Sequence, residues 1–182
     1  SKRLQEKNGI YVGPDQIIVT PGGKFGIYLA LTSILNPGDE VLVFAPYWVS
    51  YVPIIKACGG VPVIVPLTDK NDYKIERKIV EDKITDRTKM LIINYPNNPT
   101  GRILHQEEAE ILRDIILEYN LYAVADEIYD EIVFDGKRNI SLASFPEIKD
   151  AVVTVNGFSK CAAMTGWRIG YTAASQEITD VM

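Results

Sequence analysis

The feature that most constrains this chain is its rhythm. Short apolar runs alternate with segments of helical period along nearly all 182 residues. Val41 to Phe44, Val61 to Val65, Lys89 to Ile93, Leu121 to Ala125 and Ala151 to Val155 read as buried strands. Between them, Trp48 to Ala57, Ile75 to Ile84 and Glu107 to Tyr119 read as helices, the last with Ile111, Leu112, Ile115 and Ile116 on one face. Upstream, Gln16 to Val19 reads as a strand, and Lys24 to Leu35 as a helix stopped by Asn36-Pro37-Gly38. Trp167 to Ala173 adds a last strand, Ser1 to Lys7 reads as helical, and a further helix begins at Glu177. Strands alternating with helices predict an α/β fold of three layers, α/β/α, around a mostly parallel sheet of about seven strands. No internal repeat or interdomain linker interrupts the pattern, so residues 1–182 are expected to form a single domain.

Polar residues gather where three of these strands end. Met90 to Ile93 runs into Asn94-Tyr95-Pro96-Asn97-Asn98-Pro99-Thr100-Gly101. Leu121 to Ala125 runs into Asp126-Glu127-Ile128-Tyr129, and Ala151 to Val155 into Asn156-Gly157-Phe158-Ser159-Lys160. Open α/β sheets place their ligand crevices at the carboxyl ends of strands. A desolvated lysine there can lose its proton and attack an aldehyde. Arg168, eight residues on, offers a planar donor fork suited to phosphate. A lysine paired with a phosphate-binding arginine is what a pyridoxal-phosphate site requires, although by themselves both residues also suit a solvated surface.

Composition narrows the classes. The chain is 47% hydrophobic and 24% charged, with a formal net charge of −5 and no basic run. Nucleic acid and anionic membrane are thus disfavoured as partners. Apolar stretches are broken too often for a membrane span, and no signal peptide opens the chain. Cys58 and Cys161 give neither a disulfide framework nor metal spacing, which fits a reducing, cytoplasmic setting. His105 is the single histidine, so no metal site and no histidine-based triad is expected.

With Asn98, Asp126, Tyr129, Lys160 and Arg168 in this order, the chain resembles the fold-type I pyridoxal-phosphate aminotransferases of the aspartate aminotransferase family, class I/II. The resemblance covers nearly the whole chain. Asn97-Asn98-Pro99-Thr100-Gly101 and Met164-Thr165-Gly166-Trp167-Arg168-Ile169-Gly170-Tyr171 are its most specific segments. It implies pyridoxal 5'-phosphate as cofactor, amino-acid and 2-oxo-acid substrates, and a homodimer when full length. It also implies that this chain is the cofactor-binding large domain, with a smaller domain built from both ends of the complete protein missing here.

Each part of such a cofactor should find an answer. Lys160 would link to the aldehyde and later move the α-proton. Asp126 would keep the pyridine nitrogen protonated, while Glu127, next along the strand, would point to the opposite face. Asn98 and Tyr129 would donate to the ring hydroxyl; by position alone, Asn98 also suits a plain turn and Tyr129 a core. Gly22, Gly23 and Lys24 open a helix straight after a strand, which suits a phosphate, and Arg168 and Ser159 would complete its shell. Trp48 is placed by the resemblance against the ring face, where a core tryptophan is the alternative. Many members carry a phosphate-binding Ser or Thr three residues before the lysine; this chain has Gly157, which shifts that role toward Ser159 or water. Lys24 matches a lysine near the substrate's distal carboxylate in similar bacterial enzymes, so aspartate is the first substrate expected. A same-fold lyase or synthase, or a regulatory pyridoxal-phosphate-binding domain, remains the alternative.

Overall fold

Strand register explains why the apolar runs are continuous. In a computed structural model, which describes residues 1–182, seven strands form one sheet in the order β1-β7-β6-β5-β4-β2-β3. They are β1 (Ile17–Thr20), β2 (Glu40–Ala45), β3 (Val61–Pro66), β4 (Thr88–Asn94), β5 (Tyr122–Asp126), β6 (Val152–Gly157) and β7 (Gly170–Ala173). The pairs from β3 through β2, β4 and β5 to β6 are parallel. β7 runs antiparallel to both β6 and β1. A parallel sheet covered on both faces needs apolar residues at successive positions.

Successive side chains divide between two cores. Leu42, Phe44, Leu91, Ile93, Ala123 and Ala125 face one layer, with Leu4, Val80, Leu112 and Ile115 from the helices α1 (Lys2–Asn8), α4 (Arg77–Glu81) and α5 (Gln106–Glu118). Val41, Val43, Met90, Ile92, Val124, Val153 and Val155 face the other. There they meet Ile27, Leu31, Ile55 and Ile178 of α2 (Gly23–Ile34), α3 (Tyr51–Ala57) and α6 (Gln176–Val181). Each fully buried Leu or Ile contributes roughly 1.5–3 kcal/mol relative to exposure. The chain therefore builds the three expected layers. No helix is long and apolar enough to cross a membrane.

Element boundaries differ from expectation in three places that matter. The helix expected from Trp48 begins at Tyr51. Pro53 has no N–H to give and suits a first turn, so the helix starts just before it and Trp48 stays in the loop. The helix expected over Ile75 to Ile84 shrinks to Arg77–Glu81. The amide of Ile75 donates instead to the buried Glu108 carboxylate, at 2.7 Å. The last strand begins at Gly170 rather than Trp167. Thr165–Trp167 forms a single 3-10 turn, and Arg168 adopts a left-handed conformation with φ 53°.

The crossovers set the crevice. β2 leads through α3 to β3 on one side, whereas β4 leads through α5 to β5 on the other, and these two helices lie on opposite faces. Strand order therefore reverses between β2 and β4. A parting of loops opens there at the carboxyl ends of the strands.

Candidate active site

A cleft of about 350 Å³ lies at those carboxyl ends. Every residue expected from sequence to hold the cofactor lines it except Gly22, which precedes Gly23 and abuts Arg168. β2 leads to Trp48, β4 to Asn98, β5 to Asp126 and Tyr129, and β6 to Ser159 and Lys160.

Asp126 ends β5 and is buried. Its Oδ2 accepts from the Tyr51 hydroxyl at 2.6 Å, and its Oδ1 from the Ile128 amide at 3.2 Å. Burial pushes its carboxyl up to about 6, against the pull of those two donors. Its backbone carbonyl accepts from Asn94 Nδ2 at 2.9 Å. The Asn94 Oδ1 accepts in turn from the Asn98 amide at 2.8 Å. One buried asparagine thus fixes the ends of β4 and β5 together.

The loop after β4 holds itself. Asn97 Oδ1 accepts from the Thr100 amide and hydroxyl at 3.1 and 2.8 Å. Arg102 Nη1 donates to both oxygens of the buried Glu108 of α5, at 2.7 and 2.9 Å. This presents Asn98, whose Nδ2 donates to the Tyr129 hydroxyl at 3.3 Å. Lys160 is exposed to the cleft, with Nζ 5.6 Å from the centre of the Tyr129 ring. Lys24 Nζ lies 4.8 Å over the Trp48 ring, and Tyr51 meets that indole edge-on at 5.5 Å.

At the other end of the cleft is a place made for an anion. The amides of Gly23 and Lys24 sit in the first turn of α2, where N–H groups lack intrahelical acceptors. Gly22 caps this helix with φ 90°, and a Cβ there would collide with the Arg168 guanidinium. Arg168 therefore lies against the helix N-terminus; its Nη1 donates to the Thr165 carbonyl at 2.9 Å. Glycine is required twice more. A Cβ on Gly170 would fall 2.5 Å from the Gly22 carbonyl carbon and 2.6 Å from the Gly23 nitrogen. One on Gly157 would fall 2.7 Å from the Ile169 carbonyl oxygen. The strand carrying Gly157 is thus pressed against the Arg168 segment, which explains why no hydroxyl residue stands there.

Glu127 lies on the opposite face, as alternation along a strand demands. It is buried, its Oε1 accepting from Ser141 Oγ at 2.6 Å and its Oε2 from Asn8 Nδ2 at 3.0 Å. His105 is exposed as the cap of α5, outside the cleft. Sequence reasoning missed Tyr51 and Asn94. Tyr51 stands three residues after Trp48, but only the packed structure shows it reaching Asp126. Asn94 was a visible signal, a polar residue ending an apolar strand.

The donor set fits pyridoxal 5'-phosphate. An amine, a buried carboxylate, two neutral donors, an aromatic face and an anion cradle with a guanidinium all border one cleft, and glycines leave the backbone bare where a phosphate would approach.

The sequence profile of aminotransferase class I and II matches residues 1–182. The chain is 43% identical over 179 residues to an aspartate aminotransferase of Musicola paradisiaca, covering 98% of this chain and 45% of that protein. It is 40% identical over 183 residues to a probable aspartate/prephenate aminotransferase of Aquifex aeolicus, covering 100% and 46%. Among solved structures, an aromatic aminotransferase from Pyrococcus horikoshii OT3 superposes with a TM-score of 0.96 at 37% identity, over 99% of this chain and 48% of that one. The chain spans about half the length of these relatives. Sequence match along the full chain and a nearly superposable backbone agree with the cleft: this chain belongs to the aminotransferase class I and II family.

Proposed function

We propose that this chain is the cofactor-binding large domain of a pyridoxal 5'-phosphate-dependent aminotransferase, with aspartate as the first candidate amino donor and a 2-oxo acid as acceptor. The observation that carries the reading is the shared cleft, which sets Lys160, Asp126 and the Arg168-flanked helix N-terminus at separate positions around one space. When bound, the cofactor supplies an aldehyde for an amine and a ring that accepts electrons from the substrate's α-carbon.

The chain's own residues do the rest. Lys160 Nζ is the amine that would hold the aldehyde, and it is the base placed to take and return a proton at the substrate's α-carbon. Asp126 is the carboxylate for the ring nitrogen. Its pKa of about 6 leaves it mostly ionised at neutral pH, and the Tyr51 hydroxyl keeps it from rising further. Asn98 and Tyr129, already bonded to one another, are the donors for the ring hydroxyl. The α2 amides, Ser159 and Arg168 take the phosphate. Trp48 would offer its indole to a ring face.

Lys24 supports an acidic substrate, because its ammonium stands over Trp48 at the cleft. The relatives' length supports a second, smaller domain beyond these 182 residues. A homodimer of the complete protein fits the exposed Val49 and Trp167, neighbours in sequence of Trp48 and Arg168. The test is borohydride reduction of the full-length protein with pyridoxal 5'-phosphate, then peptide mapping. The pyridoxyl group is expected on Lys160, and a label on Lys24 or any other lysine refutes the assignment.

A further inference from the structure

The turn that carries Tyr129 into the cleft is neither helix nor strand. Two backbone bonds define it, Asp130 N to the Glu127 carbonyl at 3.0 Å and Ile132 N to the Tyr129 carbonyl at 2.8 Å. Its other side chains, Glu127, Asp130 and Glu131, form a cluster of three acids. One cation meets this cluster, and it comes from the far end of the sequence. Arg3 Nη2 donates to both Asp130 oxygens at 3.1 and 2.9 Å and to Glu131 at 2.9 Å. Its Nη1 donates to the Tyr171 hydroxyl at 2.7 Å. Asn8, on the same helix α1, donates to Glu127 and to Asp130 at 3.0 and 3.3 Å.

Tyr171 is three residues past Arg168, and its ring packs on Phe158, two residues before Lys160, with centroids 6.1 Å apart. One guanidinium thus bridges the turn that bears Tyr129 and the strand that leaves Arg168. The Asp130 side chain is 5% exposed and that of Arg3 26%, so the pair is shielded from solvent and salt. Burial opposes the Arg3 charge, yet Tyr171, Asp130 and Glu131 more than offset it and hold the guanidinium ionised.

We propose that Arg3 is a positioning residue: by tying Asp130 to Tyr171 on the back of the sheet, it sets the Tyr129 hydroxyl against Asn98 and the Tyr129 ring beneath Lys160 in the cleft. Without Arg3, the Asp130 and Glu131 carboxylates stand side by side with no cation between them, and the turn relaxes away from β7. The Tyr129 ring moves with it. A lysine at this place carries the charge but lacks the planar fork that reaches both partners.

The inference rests on the cofactor reading above, and its test separates the two. In the full-length protein without cofactor, amide hydrogen exchange across residues 128–132 is compared for wild type, Arg3→Met and Arg3→Lys. With pyridoxal 5'-phosphate added, the pH midpoint of the absorption band of the Lys160-linked cofactor is followed in the same three proteins. Faster exchange in Arg3→Met is expected. The midpoint is expected to rise by about half a unit or more, since weaker donation to the ring hydroxyl favours the protonated linkage. Arg3→Lys should recover thermal stability more fully than it recovers the midpoint. Unchanged exchange, or a wild-type midpoint in Arg3→Met whatever its melting temperature, overturns the proposal. A wild-type protein that shows no such band refutes the cofactor reading, and the exchange comparison then decides the role of Arg3 by itself.

Discussion

Replacing Tyr51 by Phe isolates one interaction on the buried carboxylate of the cleft. The Tyr51 hydroxyl donates to Asp126 Oδ2 at 2.6 Å, and both residues are buried. A hydrogen bond to a charged group contributes about 1.5–3 kcal/mol. At 1.36 kcal/mol per pKa unit, its loss should raise the Asp126 carboxyl by about one to two units. That carboxyl already titrates at about 6, so Tyr51→Phe should bring it to about 7 or 8. The sign has a second consequence. Asp126 is raised above its ordinary 3.8, so its contribution to stability is full below pH 4 and is lost as pH rises through 6. The loss in the wild type is about 3 kcal/mol. In Tyr51→Phe the decline should extend one to two pH units higher. Carbon-detected NMR titration of Asp126 in the cofactor-free full-length protein, with urea unfolding at a series of pH values, measures both effects. A midpoint within a few tenths of a unit of wild type would show that Tyr51 does not govern this carboxylate.

Glu127 extends the same reasoning to the back of the sheet. Burial raises it from 4.5 to about 8, so its contribution is full below pH 4.5 and lost as pH rises through 8. Glu127→Gln should flatten stability across that window, as read by urea midpoints, and an unchanged slope would place its titration elsewhere. Gly170→Ala should destabilise by roughly 1–3 kcal/mol, because its Cβ meets backbone atoms of Gly22 and Gly23 that no rotamer change can move. Its stability in urea measures this, and a variant as stable as wild type would show that the turn before α2 yields freely.

Most of this site was legible because its residues sit at strand ends, and strand ends show in sequence as a change from apolar to polar. Asp126 following Ala125, and Lys160 following the Val155 strand, needed no three-dimensional information. Lys24 and Gly23 were visible as a helix start. The boundary errors arose where tertiary contacts override local pattern. Ile75 has a helical spacing with Ile79, yet its amide is drawn to Glu108, thirty-three positions away. Trp167 to Ala173 reads as one strand, but the left-handed Arg168 breaks it so that the guanidinium can reach α2. Tyr51 and Arg3 were hidden for a related reason. Their importance lies in partners 75 and 127 residues distant, and neither carries a local mark of it.

The contact between Gly157, Ile169 and Gly170 also limits how this sequence can change. A Gly157→Thr exchange looks like a simple way to add a phosphate ligand. Here the added Cβ would meet the Ile169 carbonyl oxygen at 2.7 Å and the Gly170 Cα at 2.9 Å, before any hydroxyl reached the cleft. The two neighbouring strands would have to part first, taking Arg168 with them. Gain of the new ligand would be linked to loss of the old one. An engineer who wants a hydroxyl at position 157 would have to rework residues 157 to 170 as a block.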